Sequence, residues 1–154
     1  MSNVKNIKTM KLYRHPGRIY SELDAAGYKR DVPLKIEDIS LFDQYHYLGT
    51  DAVDDAIRSL NIGSENRIMD IGSGIGGPAR YLAKKTRCHV TALELQPDLH
   101  NIACSLTEHC GLSDSVRHLC GDILDFSGRL SHFDVLVSLL SFLHIPDRTS
   151  LLKK

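Results

Sequence analysis

The chain has 154 residues, 42% of them hydrophobic and 25% charged, with a formal net charge of zero. That length supports one globular domain with a real core and is too short for two. Neutrality supplies no basic stripe for a nucleic-acid partner, and no apolar run reaches the roughly 20 residues of a membrane span.

The first 20 residues carry Lys5, Lys8, Lys11, Arg14 and Arg18 without an acidic residue. Serine is scarce and Pro16-Gly17 would break a long amphipathic helix, so a solvated arm is expected rather than an organellar presequence. Turns at Pro16-Gly17, Gly27 and Pro33 punctuate an irregular or briefly helical cap through residue 40. The segment 41–49, with Tyr45, His46 and Tyr47 at its centre, reads equally as a lid packed on the core and as a wall over a small-molecule site. Thr50 is then placed to cap a helix whose Val53, Ala56, Ile57 and Leu60 form one apolar stripe, with Gly63 ending it.

The next stretch organises everything else. Residues 67–71 are a short apolar run carrying Asp70. They enter a loop with glycines at 72, 74, 76 and 77, and Pro78 suits the first position of a helix. Strand, glycine loop and helix N-terminus make a cradle whose backbone N–H groups are expected to face a nucleotide-like ligand. Taken alone, Gly72, Gly74 and Gly77 match only the weak dinucleotide spacing G-x-G-x-x-G. Ala79, Leu82 and Ala83 of the following helix face the sheet. A second strand is expected over 89–95, and a helix opened by Pro97 carries the stripe Leu99, Ile102, Ala103 and Leu106 and closes at Gly111. A third strand follows over 116–120, and a fourth over 133–139, apolar enough to be buried on both faces. Pro146-Asp147 starts a last helix.

Alternating strands and helices predict an α/β fold: a Rossmann-like, doubly wound parallel sheet with right-handed crossovers. Asp70, Glu94 and Asp122 then fall at the carboxyl ends of three strands, where such sheets bind ligands. Glu94 stands 17 positions after Gly77, near the separation at which an acid reaches a ribose diol. Asp122 is placed to accept from an adenine amine, with Ile123, Leu95 and Leu139 as apolar walls. Asp70 decides what hangs from the adenosine. A pyrophosphate on the loop would meet that carboxylate and be repelled, whereas the ammonium of an amino-acid tail would be attracted. The residues therefore favour S-adenosylmethionine over NAD. The cysteines (Cys88, Cys104, Cys110, Cys120) form no C-x-x-C pair, so reduced thiols in a cytoplasmic protein are expected. His100, His109 and His118 crowd the same region, but their spacings fit no zinc pattern and no metal is expected.

The run Asp70 to Arg80, then Glu94, then Gly121-Asp122-Ile123, resembles the class I S-adenosylmethionine-dependent methyltransferases. Within them it looks most like the small-molecule branch containing the sarcosine/dimethylglycine and phosphoethanolamine N-methyltransferases, which Phe142-Leu143-His144-Ile145-Pro146-Asp147-Arg148 also resembles. The resemblance covers about residues 41–154, taken here as the cofactor-binding domain, with 1–40 as arm and cap. It implies that Gly72, Glu94, Asp122, Ile123 and the backbone around Ser138-Leu139 hold the cofactor, while His144 and Tyr45 serve catalysis on a small acceptor, an amine nitrogen. Two departures stand out. Leu139-Leu140 replace a polar or acidic residue common in that branch, and the sequence supplies four strands in the order 3-2-1-4 where the family sheet has three more. A truncated isoform or fragment is the expectation that follows. An NAD-dependent oxidoreductase, or a truncated product that binds cofactor without turnover, are the alternatives, and the oligomeric state stays open.

Overall fold

In the computed structural model residues 15–29 and 32–154 are described; Lys5, Lys8, Lys11 and Arg14 of the expected arm lie outside them. Four strands, β1 (Arg67–Ile71), β2 (His89–Glu94), β3 (Val116–Cys120) and β4 (Val135–Val137), form one sheet in the order β3-β2-β1-β4. Every pairing is parallel. The helices are α1 (Arg18–Ala25), α2 (Ile36–Ile39), α3 (Gly49–Leu60), α4 (Gly77–Thr86), α5 (Pro97–His109) and α6 (Arg148–Leu152).

The alternation of β1 explains the layers. Ile68 points into a cluster with Val53 of α3, Ala79, Leu82 and Ala83 of α4, and Val90 and Ala92 of β2. Met69 and Ile71 point to the opposite face and meet Leu93, Ile123, Leu130 and Leu151. A third cluster joins Ile19 and Leu23 of α1, Ile36 and Ile39 of α2, Ile75 of the glycine loop, and Leu99 and Leu106 of α5. Fully burying an aliphatic side chain such as Leu82 stabilises by roughly 1.5–3 kcal/mol, so these clusters fix where the strand ends converge.

Several expectations need correction. Thr50 caps nothing: α3 starts at Gly49, and Leu48 at its N-terminus is left-handed (φ 67°) with no side-chain cap. The helix stops before Gly63, at a left-handed Asn61 (φ 50°), after which the Ile62 amide bonds back to the Ile57 carbonyl. Leu60 is exposed, so the apolar stripe is a turn shorter. Pro78 is the second residue of α4, behind Gly77. The second strand ends at Glu94. β4 spans three residues, not seven, and Leu136 on this edge strand is 47% exposed rather than buried.

Gly77, the first residue of α4, lies directly against the backbone of Asp43. A Cβ there would lie 2.2 Å from the backbone oxygen of Asp43, an obstacle that no rotamer change relieves. Around Gly74 there is open space. Gly77→Ala is therefore expected to lower stability by about 1–3 kcal/mol through overpacking, read as a shift of the urea midpoint at constant slope. Gly74→Ala should cost less, only the left-handed backbone term.

Candidate functional site

A cleft of about 560 Å³ opens at the carboxyl ends of β1, β2 and β4, within the size range of small-molecule sites. Asp70, Gly72 and Gly74 line its floor, Glu94 and Leu95 one side, and Asp122 and Ile123 the far end. Tyr45, His46 and Tyr47 line the opposite wall with Leu139, Leu140, Leu143 and His144. Ten residues singled out from sequence thus share one cavity, although they come from six separate places in the chain: Tyr45, Asp70, Gly72, Gly74, Glu94, Leu95, Asp122, Ile123, Leu139 and His144. Gly76, Gly77 and Ser138 do not line it.

The glycine loop does not present its amides as the sequence suggests. The N–H groups of Gly72 and Ser73 both donate to the Leu93 carbonyl, at 2.8 and 3.0 Å. Gly74 N–H donates to Glu94 Oε2 at 2.9 Å, and Gly76 N–H to the Ser73 carbonyl at 2.8 Å. Four amides expected to floor a ligand are spent on binding the loop to the end of β2 and to itself. Gly72 is demanded twice over: its φ is +73°, and a Cβ would sit 2.3 Å from Ser141 Cβ and Oγ. Gly76 and Gly77 serve packing instead, against His118 and Arg80 in one case and Asp43 in the other. Ser138 Oγ donates to the Ile71 carbonyl at 3.1 Å and meets Ser141 Oγ at 2.7 Å, holding the chain beyond β4 against β1.

The three acids differ in their surroundings. Asp70 is 1% exposed, and its Oδ2 has no hydrogen-bond partner. Burial pushes its carboxyl up to about 7, and the negative charge of Glu94 adds to the shift. Glu94 accepts the Gly74 amide on one oxygen and the Gln96 amide, at 2.8 Å, on the other. Burial raises it as well, while these amides pull it back down. Asp122 Oδ1 accepts from the Leu124 amide at 2.9 Å and so caps a single 3₁₀ turn that presents Ile123 to the cleft.

On the opposite wall, burial raises the Tyr45 phenol, opposed by the Arg18 guanidinium 5.3 Å from its ring centroid. Tyr45 also packs against the third cluster, so the segment is both core lid and cleft wall. His144 ends an exposed 3₁₀ turn over Phe142–His144. Leu140, in the same wall, is left-handed at φ 62°, a backbone state costing a non-glycine residue on the order of 1–3 kcal/mol.

Sequence reading assigned no role to Arg80, which is wholly buried. Its Nη2 donates to Asp43 Oδ2 at 2.8 Å, and its Nη1 to the Ala103 carbonyl at 3.3 Å and Thr107 Oγ1 at 3.2 Å. Thr107 Oγ1 in turn meets His118 Nε2 at 2.8 Å, and burial drives His118 down to about 4, leaving the ring neutral. The signal was available: Arg80 stands in α4 among the buried Ala79, Leu82 and Ala83, and a charge in such company requires a partner. The partner, far away in sequence, was not legible.

A family model described as a methyltransferase domain matches residues 68–154. Glycine/sarcosine/dimethylglycine N-methyltransferase of Actinopolyspora halophila is 37% identical over 95 residues, covering 62% of this chain and 17% of that one. Phosphoethanolamine N-methyltransferase 1 of Zea mays is 29% identical over 137 residues, covering 89% of this chain and 27% of that one. The chain therefore spans well under a third of the length of these curated relatives. The fold matches that of Haemonchus contortus phosphoethanolamine N-methyltransferase 2, solved with phosphomonomethylethanolamine and S-adenosylhomocysteine, at a TM-score of 0.62. That match is 24% identical and covers 67% of this chain and 24% of that one. No described helix is long and apolar enough to cross a membrane.

An acid that holds its proton more tightly folded than unfolded contributes less stability as pH rises from its ordinary value, 3.8, toward its folded value near 7. Asp70→Asn removes this dependence. The stability of the variant relative to the parent is therefore expected to grow between pH 4 and 7 and level off above, measured by urea unfolding at pH 5, 6 and 8.

Proposed function

We propose that this chain, which belongs to the methyltransferase domain family matched over residues 68–154, binds S-adenosylmethionine and presents it to a small-molecule acceptor through an amine nitrogen. The observation that carries the reading is Asp70. A buried carboxyl with an unpartnered oxygen, at the foot of a glycine loop and beside a second acid, favours a ligand whose positive charge stabilises its ionised form and disfavours a pyrophosphate, which would add to the negative charge there. An amino-acid ammonium and a sulfonium both meet that requirement; the pyrophosphate of a dinucleotide, the part that would take the loop, does not.

The remaining residues fit the same ligand. Glu94 accepts backbone amides on both oxygens and, with about four lone-pair sites in all, keeps acceptor capacity for a ribose hydroxyl. Asp122 serves the adenine amine, and Ile123, Leu95 and Leu139 flank the ring. Gly72 and Gly74 bring the backbone close to the amino-acid tail. When bound, the cofactor supplies an electrophilic methyl group. The chain then has to align an acceptor with it, and alignment alone can supply about 7–11 kcal/mol of the barrier. Tyr45, kept as the phenol by burial, donates a hydrogen bond to position the acceptor, and His144 takes a proton from its nitrogen. The names of the relatives, N-methyltransferases of sarcosine and phosphoethanolamine, support an amine, and the zero net charge argues against a nucleic-acid acceptor. Cys88, Cys104, Cys110 and Cys120 are all free thiols, which favours a reducing compartment, the cytoplasm. In this reading residues 41–154 are the cofactor-binding unit and the preceding 40 its arm and cap.

Calorimetric titration tests the proposal. S-adenosylhomocysteine should bind and NADH should not; heat with NADH alone overturns the reading. A cationic ammonium beside Asp70 lowers its pKa, so at pH 6.5 binding should release protons, seen by comparing buffers of different ionisation heat. Affinity should climb from pH 5 to 8, and both effects should vanish in Asp70→Asn. Glu94→Gln is expected to weaken binding roughly 10–100-fold, the worth of one charge-assisted bond pair.

A further inference from the structure

The wall carrying Tyr45, His46 and Tyr47 has little backbone support. Upstream, the amides of Phe42 and Asp43 bond to the Ile39 carbonyl, at 2.9 and 3.1 Å. Downstream, α3 begins at Gly49 behind a left-handed, exposed Leu48. Between these points Tyr45 packs against the third core cluster and beside Arg18, and the rest of the segment is held by a relay of side chains. Arg80 Nη2 donates to Asp43 Oδ2 at 2.8 Å. The other carboxylate oxygen of Asp43 accepts from Gln44 Nε2 at 2.8 Å. His46 Nε2 lies 3.0 Å from Gln44 Oε1 and its Nδ1 3.0 Å from the Tyr47 carbonyl; both oxygens accept, so a neutral ring donates to one of them at a time. The root of the relay is rigid. Arg80 and Asp43 are 0% and 1% exposed, and Arg80 is braced from α5 by Ala103 and Thr107. Its tip ends at Tyr47, which is 78% exposed.

We propose that Arg80 and Gln44, neither of which lines the cleft, are positioning residues that fix the Tyr45–Tyr47 wall, acting through Asp43 and His46. The anchor is well suited to this. A paired buried guanidinium keeps its geometry because breaking the pair from one side leaves an uncompensated buried charge. The same guanidinium also packs against Gly76, where a Cβ would lie 2.9 Å from Nη1. One buried side chain thereby sets both the start of the cofactor-loop helix and the placement of the facing wall. The consequence for acceptor binding rests on the methyl-transfer reading; the clamp itself does not.

Chymotrypsin cleavage after Tyr45 and Tyr47, followed by mass spectrometry on the native chain, reads the order of this wall. Cleavage after Tyr81 in α4 reports on the body of the domain. Gln44→Leu leaves the buried pair intact and should speed cleavage after Tyr45 and Tyr47 at least tenfold. Cleavage after Tyr81 and the affinity for S-adenosylhomocysteine should both stay within threefold of the parent. Arg80→Lys, which keeps the charge but loses the fork, should move the first two sites in the same direction. Unchanged cleavage in both variants overturns the proposal. So does acceleration at Tyr81 equal to that at Tyr45 in Gln44→Leu, or a parent already cut after Tyr45 and Tyr47 as fast as an unfolded peptide. Failure of S-adenosylhomocysteine to bind the parent defeats the cofactor reading and leaves the cleavage comparison standing.

Discussion

The end of β2 holds the glycine loop, and the cleft depends on that attachment. The Leu93 carbonyl takes two amides from the loop and the Glu94 carboxylate takes a third, so the turn out of β1 is fastened to the neighbouring strand before any ligand arrives. Left-handed glycines make the path sterically cheap, and these bonds make it definite. A site whose loop is prefastened loses little conformational entropy on binding. The cost falls on Glu94, a buried carboxyl that burial raises and the loop amides draw back, and on Asp70 beside it, whose carboxyl burial pushes up to about 7.

Two kinds of buried charge serve two different ends here. Asp43 and Arg80 satisfy each other and join the 41–49 segment to α4 and α5. Asp70 is left without a partner for one oxygen, at a place where a positively charged ligand would supply one. The first arrangement is structural and closed; the second is open. Telling them apart needs the partner list, because burial alone describes both.

Much of this was legible in the sequence. Strand, loop and helix followed from the residue pattern around Gly72, and the acids at 70, 94 and 122 fell at strand ends because the α/β alternation fixes where those ends point. What escaped was whatever depends on distant partners. Gly76 and Gly77 carry the same local signature whether they approach a ligand or a packed side chain, and only the positions of His118 and Asp43 decide. The start of α3 was misread because a left-handed leucine, rather than a capping hydroxyl, makes the turn. β4 is short because Ser138 and Ser141 bind back to the Ile71 carbonyl and turn the chain aside, an attachment spanning 67 to 70 residues.

The central strand takes its two neighbours at very different times. β2 follows β1 within some twenty residues, but Val135–Val137 pair with Ile68–Asp70 only after α5 and β3 have been made. During synthesis one flank of β1 stays unpaired on the order of seconds at ordinary elongation rates. In that interval Asp70, later opposite Val137, is still hydrated and ionised, and a charge on an open flank discourages adventitious pairing with other chains.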